Sequence, residues 1–297
     1  MTDSVEVGSE AYEKYQEAGD ILADVMAAAA DLVAPGTTHL DVAEFAEAEI
    51  RERGAKPAFP VNISVNEEAS HASPGADDET AFAEGDVVCL DVGVHVDGHI
   101  ADAATTVDLG DNRELVEAAE EALDAALDAV EPGVHTGEVG AEVEDVIEAY
   151  GFKPIVNLTG HGLEVYDAHT GPNVPNRGVD TGVELQEGDV LAIEPFATTG
   201  NGKVSEGQAT EIYEVVAEKS VRNRQARQVL DAAAEFDGLP FAARWLDTPR
   251  AEMGLRRLEM NDVVRSYPVL KEQAGELVSQ AEHTVIVTED GCERTTE

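Results

Sequence analysis

The chain is short of basic side chains. Its 297 residues include 19 Lys and Arg against 62 Asp and Glu, which gives a formal charge of −43. This balance excludes a nucleic-acid-binding protein that works through a general basic surface. The acids are spread along the whole length, as in proteins from a salt-accumulating cytoplasm, where concentrated salt screens the repulsion between surface carboxylates. The alternative, an acidic protein from an ordinary cytoplasm, is less compatible with so many acids.

Cysteine and long apolar runs are also scarce. The two cysteines, Cys89 and Cys292, have no metal-motif spacing, and we expect unpaired thiols in a reducing compartment. The sequence has no apolar run of membrane-spanning length and no signal-peptide pattern, so a soluble cytoplasmic protein is expected. Hydrophobic residues make up 43% of the chain, which is enough for one large domain or two smaller ones.

Residues 84–108 predict a β-hairpin that carries two acids on one face. An Asp-Gly pair at 97–98 separates two apolar runs, and both central positions of a type I′ turn require positive φ. This turn puts Gly93 opposite Asp102, and it makes Asp91 and Asp102 diagonal neighbours, about 7–8 Å apart at Cα. Two acids among apolar residues are unfavourable unless a cation binds them, and hard divalent metals suit oxygen ligands. Two solvated aspartates on an exposed face remain the alternative at this point.

The sequence contains an internal duplication. Helical periodicity predicts helices over 8–32 and 37–54. The stretch from Val33 aligns without gaps on the stretch from Val130, at an offset of 97, and the motif Glu-Gly-Asp-Val recurs at an offset of 103. We interpret this as two halves, each with two helices and a hairpin, related by a pseudo-two-fold axis. Chance similarity between acidic amphipathic helices is the alternative, but the ordered recurrence of several motifs argues against it.

The duplication predicts that acids from both halves meet at one site. Glu194 is the counterpart of Asp91 at the end of the repeated strand motif. Near the C-terminus Glu282 precedes an apolar run much as Asp102 does, but Glu206 also has an Asp102-like place. The repeat by itself does not choose between Glu282 and Glu206.

Between residues 220 and 275, a stretch that we call the insert, the composition changes. It contains eight of the 13 arginines and the single Trp, Trp245, and its pattern is helical. We predict an inserted helical subdomain, with 1–219 and 276–297 forming the main domain. The insert could shape a substrate rim or bind RNA, but nearby acids offset most of its arginines, which favours a solvated structural role over RNA binding.

With these residues the chain resembles the type II methionine aminopeptidases, of archaeal type, over nearly its full length. The resemblance implies the pita-bread fold, an α/β (α+β) architecture with a curved antiparallel sheet, helices on the outer face and internal pseudo-two-fold symmetry. The insert before the EHT motif distinguishes type II enzymes from type I. Five residues match the family's metal ligands one by one, which favours Glu282 over Glu206; they are Asp91, Asp102, His161 in TGHG, Glu194 in AIEPF and Glu282 in EHT.

The resemblance also implies a reaction, the hydrolytic removal of the N-terminal methionine from proteins and peptides with a small second residue. Two divalent ions, from among Mn, Fe, Co and Zn, would take part. Asp102 and Glu282 would bridge the ions, Asp91 would hold one of them, and His161 with Glu194 the other. Glu194 would also carry the proton from the attacking water to the leaving amine.

Further residues are assigned by the same resemblance. His71 and His169 would hydrogen-bond the substrate carbonyl and the tetrahedral oxyanion. Phe59 and Tyr267 would line the methionine pocket. Ala168 stands where the family usually has a larger aliphatic residue, which would widen this pocket. The other histidines are expected to have no part in catalysis; they are His39, His95, His99, His135 and His283.

The implied partner is the N-terminal methionine of nascent polypeptides, with the ribosome as a candidate. We expect a monomer that binds neither DNA nor a membrane. One alternative is a proline-specific aminopeptidase or prolidase-like enzyme of the same fold, a group that usually carries an extra N-terminal domain. The other is a non-catalytic pita-bread binding protein, although such relatives typically lose metal ligands.

Overall fold

The computed structural model describes residues 4–217 and 219–297, which contain six α-helices. The predicted helices 8–32 and 37–54 are found, each slightly shorter, and begin where the side chains of Ser9 and Thr38 accept a backbone N–H. No helix in the described ranges is long and apolar enough to cross a bilayer. The helices are α1 Glu10–Ala30, α2 His39–Glu52, α3 Arg113–Ala129, α4 Thr136–Ala149, α5 Arg224–Ala233 and α6 Ala251–Glu259.

The strands are paired antiparallel wherever the structure describes a pairing. Those of the first half are β1 Lys56–Pro57, β2 Asn62–Val65, β3 Glu68–Ser70, β4 Val87–Val96 and β5 His99–Asp108. The next group is β6 Lys153–Pro154, β7 Thr159–Glu164, β8 Asp167–Pro175, β9 Val190–Ile193 and β10 Phe196–Thr198. The last group is β11 Ser205–Glu206, β12 Ile212–Val215, β13 Phe241–Ala242, β14 Val264–Tyr267, β15 Leu270–Lys271, β16 Val278–Gln280, β17 His283–Thr288 and β18 Gly291–Arg294.

The predicted hairpin is β4–β5, and its register is confirmed. Asp97 and Gly98 both have positive φ, 49° and 85°, as a type I′ turn requires. Gly93 pairs with Asp102 as expected. The hairpin packs under α1, and the apolar faces of α1, α2 and β4 form one buried cluster. A second cluster contains α3, α4, β9 and β17, so each half of the chain has its own core.

Strand pairing supports the duplication. In the first half Pro57 of β1 pairs with Val94 of β4, and in the second Pro154 of β6 pairs with Ala197 of β10. These partners are related by the two sequence offsets of 97 and 103. The same offsets relate the β2–β4 pairing to the β7–β9 pairing. The repeat is therefore structural, since equivalent residues meet across equivalent strands.

The register corrects one detail of the repeat. Gly93 pairs with Asp102, and Phe196, which is equivalent to Gly93 at the offset of 103, pairs with Gln280. Gln280, and not Glu282, therefore has the strand position equivalent to Asp102. Glu282 lies two residues farther along and bridges to Ala104 of β5. It reaches the same site because residues two apart on a strand share a face.

The insert contains α5, α6, β13 and β14 and has a buried cluster of its own. Its strands β13 and β14 both pair with β12, which precedes residue 220. The small sheet thus crosses the predicted boundary of the insert, and the division into a main domain and a subdomain stays a prediction.

Candidate metal centre

Acidic and histidine side chains from distant strands converge between the two halves. Asp102 from β5, His161 from β7 and Glu282, which immediately precedes β17, each have a ligand atom within 4.8 Å of the others. His161 Nε2 lies 3.9 Å from Asp102 Oδ2 and 3.9 Å from Glu194 Oε1. Asp102, His161 and Glu282 are buried. The antiparallel pairing of the strands brings these residues together although they are far apart in sequence.

Several carboxylate oxygens at this place have unused acceptor capacity. Asp91 Oδ1 and Asp102 Oδ1 are buried, and neither has a hydrogen-bond partner among the described residues. Gln280 Nε2 donates to Glu282 Oε2 at 3.1 Å and more weakly to Glu194 Oε2 at 3.5 Å. A buried acceptor without a partner is costly. Oxygen and imidazole donors suit Mn, Fe, Co or Zn, so the residues present fit divalent metal ions.

The pKa values reflect the same crowding. Burial raises the pKa of Asp91 to about 7. Burial, together with neighbouring carboxylates, also raises the pKa values of Asp102, Glu194 and Glu282 well above their usual range. Burial and, second, the nearby His169 lower the pKa of His161 to about 3. This histidine is therefore neutral at pH 7, the form in which imidazole binds a metal.

Two further histidines border the site. His71 follows β3 with a φ of 62°, a left-handed conformation that is uncommon for a residue other than glycine. Its ring meets that of Tyr267 edge-on, with centroids 5.3 Å apart, and burial lowers its pKa to about 4. The exposed His169 of β8 has its ring centroid 4.5 Å from that of His161. Neutral His71 has one N–H to donate.

These residues line a cavity of about 210 Å³. All five predicted ligands and both bordering histidines contribute to its wall. One side is apolar and contains Phe59, Leu158, Phe196, Ile212, Pro240, Tyr267 and Leu270. Of the predicted pocket residues Phe59 and Tyr267 thus contact the cavity, but Ala168 is not among the described residues of its wall. Ala168 is buried in the cluster that also contains Phe59, so it can affect the pocket only through its neighbours.

The structure separates the two acids between which the repeat left a choice. Glu206 is exposed on β11, where it pairs with Leu270, and it is not among the described residues of the cavity wall. Glu282 is buried at the site. Nor do the five histidines expected to have no catalytic part line this cavity in the described ranges; they are His39, His95, His99, His135 and His283.

Sequence reasoning missed two polar residues of the site. Asn62 of β2 pairs with Asp91, lines the cavity and has a buried Oδ1 without a partner in the described ranges. Its position depends on the β2–β4 register, which no local pattern predicts. Gln280 could have been found, because it lies two residues before Glu282 and residues two apart on a strand share a face.

Comparison with known proteins agrees with this architecture. The model of metallopeptidase family M24 matches residues 13–289. A methionine aminopeptidase of Archaeoglobus fulgidus is 53% identical over 288 residues, which cover 97% of this chain and 99% of that protein. The crystal structure of a methionine aminopeptidase from Thermotoga maritima superposes with a TM-score of 0.73 at 27% identity and covers 99% of this chain and 98% of that one. A prolidase from Pyrococcus furiosus shares the fold, with a TM-score of 0.63 at 21% identity, over 97% of this chain and 64% of its own.

The fold and the site together define a metal-dependent peptidase of pita-bread architecture, as the sequence resemblance implied. The chain belongs to metallopeptidase family M24.

Proposed function

We propose that this chain is a dinuclear methionyl aminopeptidase, which removes the N-terminal methionine from nascent polypeptides and from peptides with a small second residue. The observation that carries the proposal is the single cavity whose wall combines all five predicted metal ligands with an apolar side. The names of its relatives, methionine aminopeptidases at 53% and 46% identity, support the same activity.

The proposed ligands of the two divalent ions are the acids and the histidine that converge between the halves. When bound, the ions polarise the scissile carbonyl and lower the pKa of water. Asp102 and Glu282 are proposed to bridge the ions, Asp91 to hold one, and His161 with Glu194 the other. Glu194 also serves as the proton carrier: it accepts the proton of the attacking water and delivers it to the leaving amine. Its raised pKa favours this role, because a base near neutrality can both take and return a proton.

His71 and His169 are proposed to stabilise the oxygen of the scissile carbonyl. As negative charge develops on this oxygen, hydrogen bonds from imidazole N–H groups strengthen. The lowered pKa of His71 keeps its ring neutral, so one ring nitrogen donates without the cost of a buried cation. The proximity of the His169 and His161 rings supports a position of His169 beside the ions.

The apolar side of the cavity is proposed to receive the methionine side chain. Phe59, Ile212, Pro240 and Tyr267 offer an unbranched thioether a surface without hydrogen-bonding groups, except at the Tyr267 hydroxyl, which donates to Glu214. The second residue of the substrate must pass the rim that carries the histidines, which favours Ala or Gly over Leu at this position.

Partners and cellular setting extend the proposal. We propose the cytoplasm as the location, the ribosome as a partner that presents nascent chains, and a monomeric state. Co-sedimentation with ribosomes in molar KCl and sedimentation velocity of the isolated enzyme test these statements.

The decisive experiment is a peptidase assay in molar KCl with Mn, Fe, Co or Zn added singly. Met-Ala-Ser should be cleaved to free methionine, Met-Leu peptides poorly, and Ala-Pro peptides hardly at all. Cleavage of Ala-Pro but not of Met-Ala-Ser would indicate a proline-specific peptidase. Failure to bind any of the metals, with no hydrolysis, would indicate a binding protein that shares the fold.

A further inference from the structure

A buried ion pair joins the insert to helix α2 of the first half. The Arg244 guanidinium contacts Glu47 of α2, and the two side chains are 4% and 3% exposed. Trp245, the next residue, donates its Nε1–H to Glu47 Oε2 at 2.6 Å. The Arg244 guanidinium also lies 5.9 Å from the Trp245 ring centroid. One carboxylate of α2 thus holds two consecutive side chains of the insert.

The other side of the same guanidinium holds the loop that follows His71. Arg244 Nη1 donates to Ser73 Oγ and to the Pro74 carbonyl oxygen, both at 2.9 Å. Ser73 Oγ in turn donates to the Val61 carbonyl oxygen at 2.9 Å. His71 lies two residues before Ser73 in an uncommon left-handed conformation, which persists only where surrounding contacts hold it.

Stability alone is a poor explanation for this arrangement. Burial raises the pKa of Glu47 and lowers the pKa of Arg244, each against the attraction of its partner. Desolvation of both charges therefore offsets much of the energy of the pair, as is usual for buried ion pairs. What the guanidinium supplies beyond charge is geometry, because its planar fork donates in fixed directions to α2 and to the loop at once.

We propose that Arg244 is a positioning residue for the reaction: held by Glu47 and Trp245, it fixes the loop through Ser73 and Pro74 and thereby the orientation of the His71 ring. The insert then holds His71 from two sides, since Tyr267 of β14 contacts the ring itself. The inference rests on the role proposed above for His71. It gives the insert a part in catalysis that neither its helices nor its arginine content indicates.

The test is a double-mutant cycle in kcat between Arg244 and His71. Arg244→Met should lower kcat by roughly ten- to a hundredfold, because a hydrogen-bond donor displaced by about 1 Å loses most of its effect. In a His71→Ala background the same substitution should change kcat less than about twofold, since no ring remains to be positioned. All variants are compared as metal-loaded enzymes of equal metal content, below their melting temperatures in molar KCl.

The matched control is Arg257→Met, an equal change at an exposed arginine of α6 in the same insert; it should leave kcat unchanged in both backgrounds. If Arg244→Met does not fold, Ser73→Ala removes one loop contact alone. It should lower kcat several-fold with His71 present and have no effect in its absence. Arg244→Lys keeps the charge but not the fork, so it should retain stability better than kcat.

The outcomes separate the inference from the proposed function. Equal losses in both backgrounds would make Arg244 merely structural and overturn the inference, while the role of His71 stands. Wild-type kcat in Ser73→Ala and Arg244→Lys would overturn it as well. Full activity of His71→Ala with its metals bound would remove the proposed role of His71 and the inference with it.

Discussion

The ring of Phe59 lies against Gly93, so closely that a Cβ at position 93 would stand 2.3 Å from the ring atom Cε1. Gly93 is in the middle of β4, opposite Asp102. The glycine is therefore required for space: it lets an apolar pocket wall approach the strand that carries the metal-binding acids.

A methyl group at position 93 should disturb the pocket without removing a ligand. Gly93→Ala must push the Phe59 ring aside, since real Cβ atoms do not approach to 2.3 Å. We expect a higher KM for Met-Ala-Ser and unchanged metal stoichiometry. In a Phe59→Leu background, where the ring is absent, the added methyl group should raise KM less. An equal increase in both backgrounds would show that Phe59 is not the group displaced.

The choice of Glu282 over Glu206 is tested by a matched pair of substitutions. Glu282→Gln keeps the shape but removes a charge, and activity should fall by about a hundredfold or more, because even residues that only orient metal ligands contribute 10–100-fold. Glu206→Gln alters an exposed side chain of β11 and should leave activity and metal content unchanged. Similar losses in the two variants would contradict the assignment.

Protons should compete with the metal ions. The folded-state pKa of Asp91 is raised from its ordinary value of 3.8 to about 7, and a carboxyl group must be deprotonated to bind a metal. Metal affinity should therefore weaken as the pH falls from 8 to 6, with proton release on binding. Calorimetry in buffers of different ionisation enthalpy measures this release. Asp91→Asn should reduce the number of protons released, and an unchanged number would argue against Asp91 as a ligand.

Stability of the metal-free protein should have the opposite pH dependence. A raised carboxyl pKa means that the folded state binds more protons than the unfolded one between about pH 4 and 7. The resulting stabilisation is fully present below the unfolded-state pKa and is lost as the pH rises through about 7. The melting temperature after EDTA treatment should thus rise when the pH is lowered from 8 to 6, and less so in Asp91→Asn. A fall in the wild-type protein relative to this variant would contradict the raised pKa.

His169 should contribute to kcat without holding a metal. Its exposed ring lies beside His161, and removal of one oxyanion donor typically costs on the order of a hundredfold in kcat. His169→Ala should show such a loss and still bind its full complement of ions by atomic absorption. Loss of one ion per chain would instead make His169 a ligand.

The acidic composition should make folding depend on salt. With 62 acidic and 19 basic residues, repulsion acts across the surface at 0.01 M salt, where the Debye length is about 30 Å, but only between neighbours at 1 M, where it is about 3 Å. The metal-free protein should unfold first as KCl is removed, since ions that bind the folded state stabilise it. Circular dichroism measures this, together with thiol labelling of the buried Cys89, whose pKa burial raises to about 11. A melting temperature independent of salt would exclude salt adaptation.

Much of the site could be predicted because its signals are local. The Asp-Gly turn at 97–98 determines the hairpin register through the φ values that it requires, and the register determines that Asp91 and Asp102 share a face. The duplication follows from recurring motifs, and it identifies Glu194 as the partner of Asp91 in the second half. The resemblance then supplied the remaining ligands, His161 and Glu282, residue by residue.

The sequence by itself determined the period of each element, the turn and the chemical types at the site. Only the tertiary structure decided which distant side chains meet: Gln280 at the position equivalent to Asp102, Phe59 against Gly93, and Arg244 on Glu47, 197 residues away. The physical reason is that periodicity depends on backbone geometry within one element, and so reports the face of a residue. Its neighbour across the core depends on the register and packing of elements that the chain joins only after long loops.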